Sequence, residues 1–168
     1  MTERVTHTIE PICFGDSRVL ILGTMPSVKS REVGFYYGHP QNRFWKVLSA
    51  VLGESLPQLN QDKIDLLHRH HIALWDVVKS CDIEGSSDSS ISNPVPNDIA
   101  GLIKNTQITK IFTTGATAYK LYERLCEPKT GIKAICLPST SPANAKMNVD
   151  QLCEKYRAVA QAVGGTNI

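Results

Sequence analysis

The 168-residue chain is 42% hydrophobic and 20% charged, with a formal net charge of +2. That length and balance describe one domain, residues 1–168, with room for a full core, and they exclude the disordered and fibrous classes. The modest charge and a pI of about 8.3 neither demand a nucleic-acid partner nor exclude one held in a local basic cleft.

No run is long and apolar enough to span a bilayer. The N-terminal stretch "MTERVTHTIEP" lacks the apolar core of a secretory signal, so the expectation is a cytoplasmic protein without membrane contact. The five cysteines, Cys13, Cys81, Cys126, Cys136 and Cys153, are odd in number and widely spread. With no CxxC pair among them, neither a disulfide framework nor a zinc or iron–sulfur site is expected.

In chain order, "RVLILG" (18–23) reads as a buried strand ending in glycine. "NRFWKVLSAVLG" (42–53) places Phe44, Trp45, Val47, Leu48, Val51 and Leu52 at helical spacing, with Gly53 as a stop. "QDKIDLLHRHH" (61–71) predicts a more polar helix and "IALWDVV" (72–78) a second strand. Residues 79–98, rich in Ser, Asp, Gly and Pro without a sustained period, predict a long loop, either functional or merely surface.

"VPNDIAGLIKN" then predicts a helix capped by Asn97. "ITKIFTTG" (108–115) is a third strand, "ATAYKLYERLCE" (116–127) a helix, and "IKAICLP" (132–138) a fourth strand. "NVDQLCEKYRAVAQAV" (148–163) closes the chain as an amphipathic helix. This alternation predicts an α/β fold with a mostly parallel sheet covered on both faces. Ligands of such sheets bind beyond the carboxyl ends of the strands, so loops 23–42, 79–98 and 138–147 should gather there.

The first of these loops opens "GTMPS" (23–27) but has neither a GxxxxGK[ST] nor a GxGxxG pattern, which removes the main warrant for a nucleotide site. Its aromatic stretch offers Phe35, Tyr36 and Tyr37 as faces for a flat ligand, whereas Phe44 and Trp45 read as core anchors of the helix. Asn42 has two readings, helix cap or functional amide, and His39 is similarly open. His68, His70 and His71 diverge around a helix end and do not suggest a metal site. In "LPSTSPANA" (137–145) the hydroxyls of Ser139, Thr140 and Ser141 either grip phosphate oxygens or end a strand in a Pro-Ser turn. Composition alone favours the turn.

Taken together, "ILGTMPS…YYGHPQNRFWKVL" and "LPSTSPAN" resemble the uracil-DNA glycosylase superfamily, and are most similar to its hypoxanthine-DNA glycosylase branch. The two blocks cover about thirty residues, in the family's order and spacing, as matched motifs of the kind that need structural context. The resemblance implies a three-layer α/β/α fold with a four-stranded, mostly parallel sheet. It also implies monofunctional hydrolytic removal of a deaminated base, hypoxanthine and then uracil, from double-stranded DNA, without metal or cofactor, by a monomer. The chain departs from the mismatch-specific branch at Met25, where that branch has a water-activating asparagine. It departs again at Leu137 and Ser141, where relatives place a catalytic amide or imidazole and a wedge leucine.

By the same resemblance Asn42 is the catalytic residue, orienting water or binding the departing base. Gly23, Thr24, Met25, Pro26, Tyr36, Tyr37 and His39 would form the base pocket. Ser139, Thr140, Ser141 and Asn144 would hold the DNA backbone, while Lys29, Arg31, Arg43 and Lys146 read as ordinary surface charges. The alternative is a module of the same fold that binds damaged or single-stranded DNA without cutting. A small-molecule nucleoside hydrolase stands further off.

Overall fold

The computed structural model describes residues 2–164; Met1 and residues 165–168 of the expected domain lie outside them. The chain order is β1 (Glu3–Thr6), β2 (Val19–Gly23), α1 (Val28–Val33), α2 (Phe44–Val51), α3 (Asn60–Arg69), β3 (Ile72–Asp76) and β4 (Val78–Ile83). There follow β5 (Ser92–Pro96), α4 (Ile99–Ile103), β6 (Lys110–Thr114), α5 (Ala116–Leu125), α6 (Glu127–Thr130), β7 (Ala134–Leu137) and α7 (Val149–Gly164).

The expected sheet is present. β3, β2, β6 and β7 lie side by side in that order, and all the pairings are parallel. Each of the four expected strands falls within its predicted segment. β2 is buried along its whole length, as a central parallel strand covered on both faces must be. Alternation sends Val19 and Ile21 into one core with Phe44, Leu48, Leu67, Tyr156 and Val159. Leu20 and Leu22 enter the opposite core with Ile99, Leu121 and Tyr122. Helices α2, α3 and α7 therefore cover one face, and α4 and α5 the other.

The long loop expected at 79–98 is not there. β4 and β5 form a hairpin, and with β1 they make a second, antiparallel sheet in the order β1-β4-β5. Two features hid it. The β4–β5 register is irregular, which breaks the alternation that marks a strand. β5 also contains Pro94 and Pro96, tolerable because it is an edge strand and its missing donors face no neighbour. β4 sends Val78, Cys81 and Ile83 into the second core. The predicted strand 72–78 accordingly ends at Asp76 and Val78 opens the second sheet, while the amides of Val77 and Val78 donate to the carbonyls of Gly23 and Thr24.

The cap assigned to Asn97 belongs to its neighbour. The Asp98 side chain accepts the Gly101 amide at 3.0 Å, while buried Asn97 donates Nδ2 to the Asp76 carbonyl at 2.8 Å. Strand β1 and the short helices α1 and α6 also escaped the sequence patterns. Gly53 does end α2, with φ of +72°, a conformation that costs glycine no Cβ clash.

Candidate active site

All four parallel strands end at one cavity of about 500 Å³. β2 contributes Gly23, β3 Asp76 and β6 Thr114; the segment after β7 contributes Ser139, Thr140, Ser141 and Asn144. Thr24, Met25 and Pro26 continue the wall from β2, Tyr36, Tyr37 and Asn42 come from the long segment before α2, and the hairpin tip adds Ser86–Ser89. The three expected segments thus do converge, the second of them, 79–98, as a hairpin tip. Of the predicted site residues, His39 alone is not in the lining. Its Nδ1 accepts the Gln41 amide at 3.1 Å, which shapes the turn leading to Asn42.

Asn42 stands one residue before the N-cap position of α2, Arg43. Its Oδ1 accepts the Phe44 amide at 2.9 Å and the Thr140 hydroxyl at 2.8 Å. Those donors fix the amide's orientation, because turning it over would set Nδ2 against the Phe44 N–H. They also fill both lone pairs of the carbonyl oxygen. Nδ2, a pure donor, makes no hydrogen bond with any described residue and is the part of the side chain left for a ligand. The contact that caps the start of α2 is made by Oδ1 alone.

Tyr37 lies flat against Phe44, centroids 3.8 Å apart and planes 11° from parallel. The stack helps hold a backbone φ of +54°, rare for a non-glycine residue and typical of functional sites. Burial, with the Asp76 charge adding to it, raises the Tyr37 hydroxyl above its ordinary range, so it remains a neutral hydrogen-bonding group. Tyr36 is more deeply committed. Its hydroxyl donates to the Glu10 carbonyl at 2.8 Å, and its own carbonyl accepts the Trp45 indole N–H at 3.0 Å. Phe44 and Trp45 are core anchors, 0% and 5% exposed.

The segment after β7 is braced from outside. The Arg43 guanidinium donates to the carbonyls of Thr140, Ser141, Asn144 and Met147, and the Tyr156 hydroxyl to that of Pro138 at 2.6 Å. Arg43 is therefore an organiser of the site and no ordinary surface charge. Within the segment, the Ser141 amide donates to Ser139 Oγ, the Ala143 amide to Ser141 Oγ, and Asn144 Nδ2 to the Ser139 carbonyl. The amides of Ser141, Ala143 and Asn144 are thus engaged internally, and the Ser139 and Ser141 hydroxyls, which accept two of them, keep their hydrogens free to donate.

Sequence reasoning missed Asp76. It is 4% exposed, and its Oδ2 accepts from His7 Nε2 at 2.7 Å. The only signal was a lone carboxylate in the apolar strand "IALWDVV", a residue type rarely buried unless paired. Asp88, on the hairpin tip, also lines the cavity; burial first, and then Asp76, push its carboxyl upward. Among the described residues no group of three or more His, Cys, Asp or Glu is placed to hold a metal, and no helix is long and apolar enough to cross a membrane. All five cysteines are free.

A parallel sheet whose strand ends open together on a polar, aromatic-lined cavity defines an α/β protein of the open-sheet, ligand-binding class. The family model described as the uracil DNA glycosylase superfamily matches residues 11–163. A protein of Methanosarcina acetivorans named hypoxanthine DNA glycosylase is 33% identical over 140 residues, covering 83% of this chain and 88% of its own. One of the same name from Methanosarcina barkeri is 32% identical over 137 residues, covering 81% and 86%. The solution NMR structure of a candidate uracil DNA glycosylase from Methanosarcina acetivorans superposes with a TM-score of 0.77 at 29% identity, covering 92% of this chain and 98% of that one. The chain belongs to the uracil DNA glycosylase superfamily.

Proposed function

We propose that the protein is a monofunctional DNA glycosylase that hydrolyses the N-glycosidic bond of a deaminated base, hypoxanthine first and uracil second, in double-stranded DNA. It acts as one domain and as a cytoplasmic monomer. The observation that carries this reading is the state of Asn42: Oδ1 saturated, Nδ2 free, at a cavity of about 500 Å³ in a chain whose relatives bear the name hypoxanthine DNA glycosylase.

The target base must leave the duplex to enter such a cavity. Tyr37, backed by Phe44, forms a rigid wall against which a flat base stacks, with Gly23–Pro26 opposite. Bond cleavage builds positive charge on the sugar and negative charge on the departing base, so a fixed donor on the base carbonyl gains strength as the bond breaks. Asn42 Nδ2 supplies that donor. Hypoxanthine offers a carbonyl where adenine offers an amine, and a donor facing a donor rejects adenine. The hydroxyls of Ser139 and Ser141 donate to backbone phosphates, and Thr140 and Asn144 keep the turn in shape.

The test is incubation with duplexes carrying one hypoxanthine, one uracil or neither, with the released base identified by chromatography. Free hypoxanthine is the expected product. Release of no base by folded protein would overturn the reading.

A further inference from the structure

We infer that Asp76 is a second catalytic residue of this site, the acceptor that takes the proton of the attacking water, and that His7 positions it. The inference rests on the glycosylase reading above and completes it. With Asn42 Oδ1 filled by Phe44 N–H and the Thr140 hydroxyl, the amide has no lone pair for a water proton. Met25, in the cavity wall two residues beyond the end of β2, offers none of use. Hydrolysis still needs a group that orients water and receives its proton.

Asp76 has the geometry for it. Parallel register pairs it with Gly23 at the strand ends, and it lines the cavity. One carboxylate oxygen, Oδ2, is spoken for by His7 Nε2 at 2.7 Å, with side chains 6% and 2% exposed for Asp76 and His7 respectively. The other, Oδ1, accepts no hydrogen bond from any described residue. A Cβ on Gly23 would lie 2.5 Å from that oxygen, so the glycine keeps the space over Oδ1 open. Asn97 Nδ2 fixes the Asp76 carbonyl from behind at 2.8 Å. A buried carboxylate held on one side by an imidazole and left open on the other is a pre-oriented acceptor.

In the step this implies, water oxygen forms a bond to C1′ of the deoxyribose as the C1′–N bond to the base breaks. The electron pair of that bond leaves on the base, where Asn42 Nδ2–H meets the carbonyl. The water proton passes to Asp76 Oδ1 and then to solvent, and the base takes a proton from solvent. Before attack, the carboxylate's negative charge also favours the positive charge developing on the sugar.

The experiment measures single-turnover release from a hypoxanthine duplex by wild type, Asp76→Asn and His7→Gln. Parallel measurements give affinity for a duplex with a non-hydrolysable target nucleotide and stability in urea. For Asp76→Asn the expected result is a fall of about 100-fold or more in release with affinity and fold retained. For His7→Gln it is a shift in the acid limb of the pH–rate profile without loss of DNA affinity. Full release by Asp76→Asn overturns the assignment alone, as does a loss that merely follows lost affinity or stability, which would make Asp76 a structural brace. Absence of release by wild type overturns the glycosylase reading and this assignment with it.

Should Asp76→Asn not fold, the wild-type profile decides. The groups facing Asp76 are His7, Tyr36, Tyr37 and Asp88. Protonation of the carboxylate must depress release on the acid side, and a rate that stays flat down to acid unfolding overturns the inference.

Discussion

Thr140 donates its hydroxyl hydrogen to Asn42 Oδ1 at 2.8 Å, joining residues 98 apart in sequence. The bond ties the segment after β7 to the start of α2 and occupies the second lone pair of the Asn42 carbonyl. Replacing Thr140, 1% exposed, by valine preserves shape and removes the donor. The expected cost is about 0.5–1.5 kcal/mol of stability, read as a lower urea midpoint. Base release is expected to fall roughly tenfold, an added barrier of about 1.4 kcal/mol, because the Asn42 amide loses one of the two contacts that aim it.

Arg43 makes the same connection through carbonyls. Lysine carries one charge and three donors but no planar fork, so Arg43→Lys abandons part of a network that reaches Thr140, Ser141, Asn144 and Met147. The expected loss is about 1.5–3 kcal/mol, measured by urea unfolding. It should be accompanied by faster proteolytic nicking of residues 138–147 in the folded protein.

Gly23 is constrained by neighbours rather than by its own backbone. A Cβ there would meet Asp76 Oδ1 at 2.5 Å and Tyr37 Oη at 3.3 Å. Gly23→Ala is expected to abolish the preference for a duplex carrying hypoxanthine over an undamaged one, while salt-dependent binding to undamaged DNA persists. Competition titrations at fixed salt read both quantities.

The tyrosines give the stability a defined alkaline edge. Tyr36, Tyr37, Tyr122 and Tyr156 are all raised above 10.0 by burial first of all. Folded-state values above the unfolded one mean that this stabilisation is complete below about pH 10 and is lost as pH rises through and beyond it. Urea midpoints should therefore decline from about pH 10 upward. Tyr37→Phe should shallow the decline.

The parallel sheet was legible because strands buried on both faces are continuous apolar runs, and "VLILG" and "KIFTT" admit little else. The second sheet was not, since its edge strand carries two prolines and its central strand pairs irregularly. Local motifs brought Asn42, Tyr37 and Thr140 to one cavity, though His39 turned out to shape a turn. Asp76 with His7 and Arg43 with its carbonyls were hidden for one reason. Their partners lie 69 and up to 104 residues away, and nothing in a local pattern reports a contact that only the tertiary fold makes.

The most direct test of the account is the single-turnover release of hypoxanthine by Asn42→Asp. Aspartate keeps an oxygen for the Phe44 amide and the Thr140 hydroxyl, so the helix start is preserved, but it replaces the Nδ2 donor with an acceptor. The variant is expected to fold, bind DNA and release base at least about 100-fold more slowly than wild type. Release at or above the wild-type rate would contradict the account, because the essential contact at this position would then be acceptance of a water proton rather than donation to the departing base.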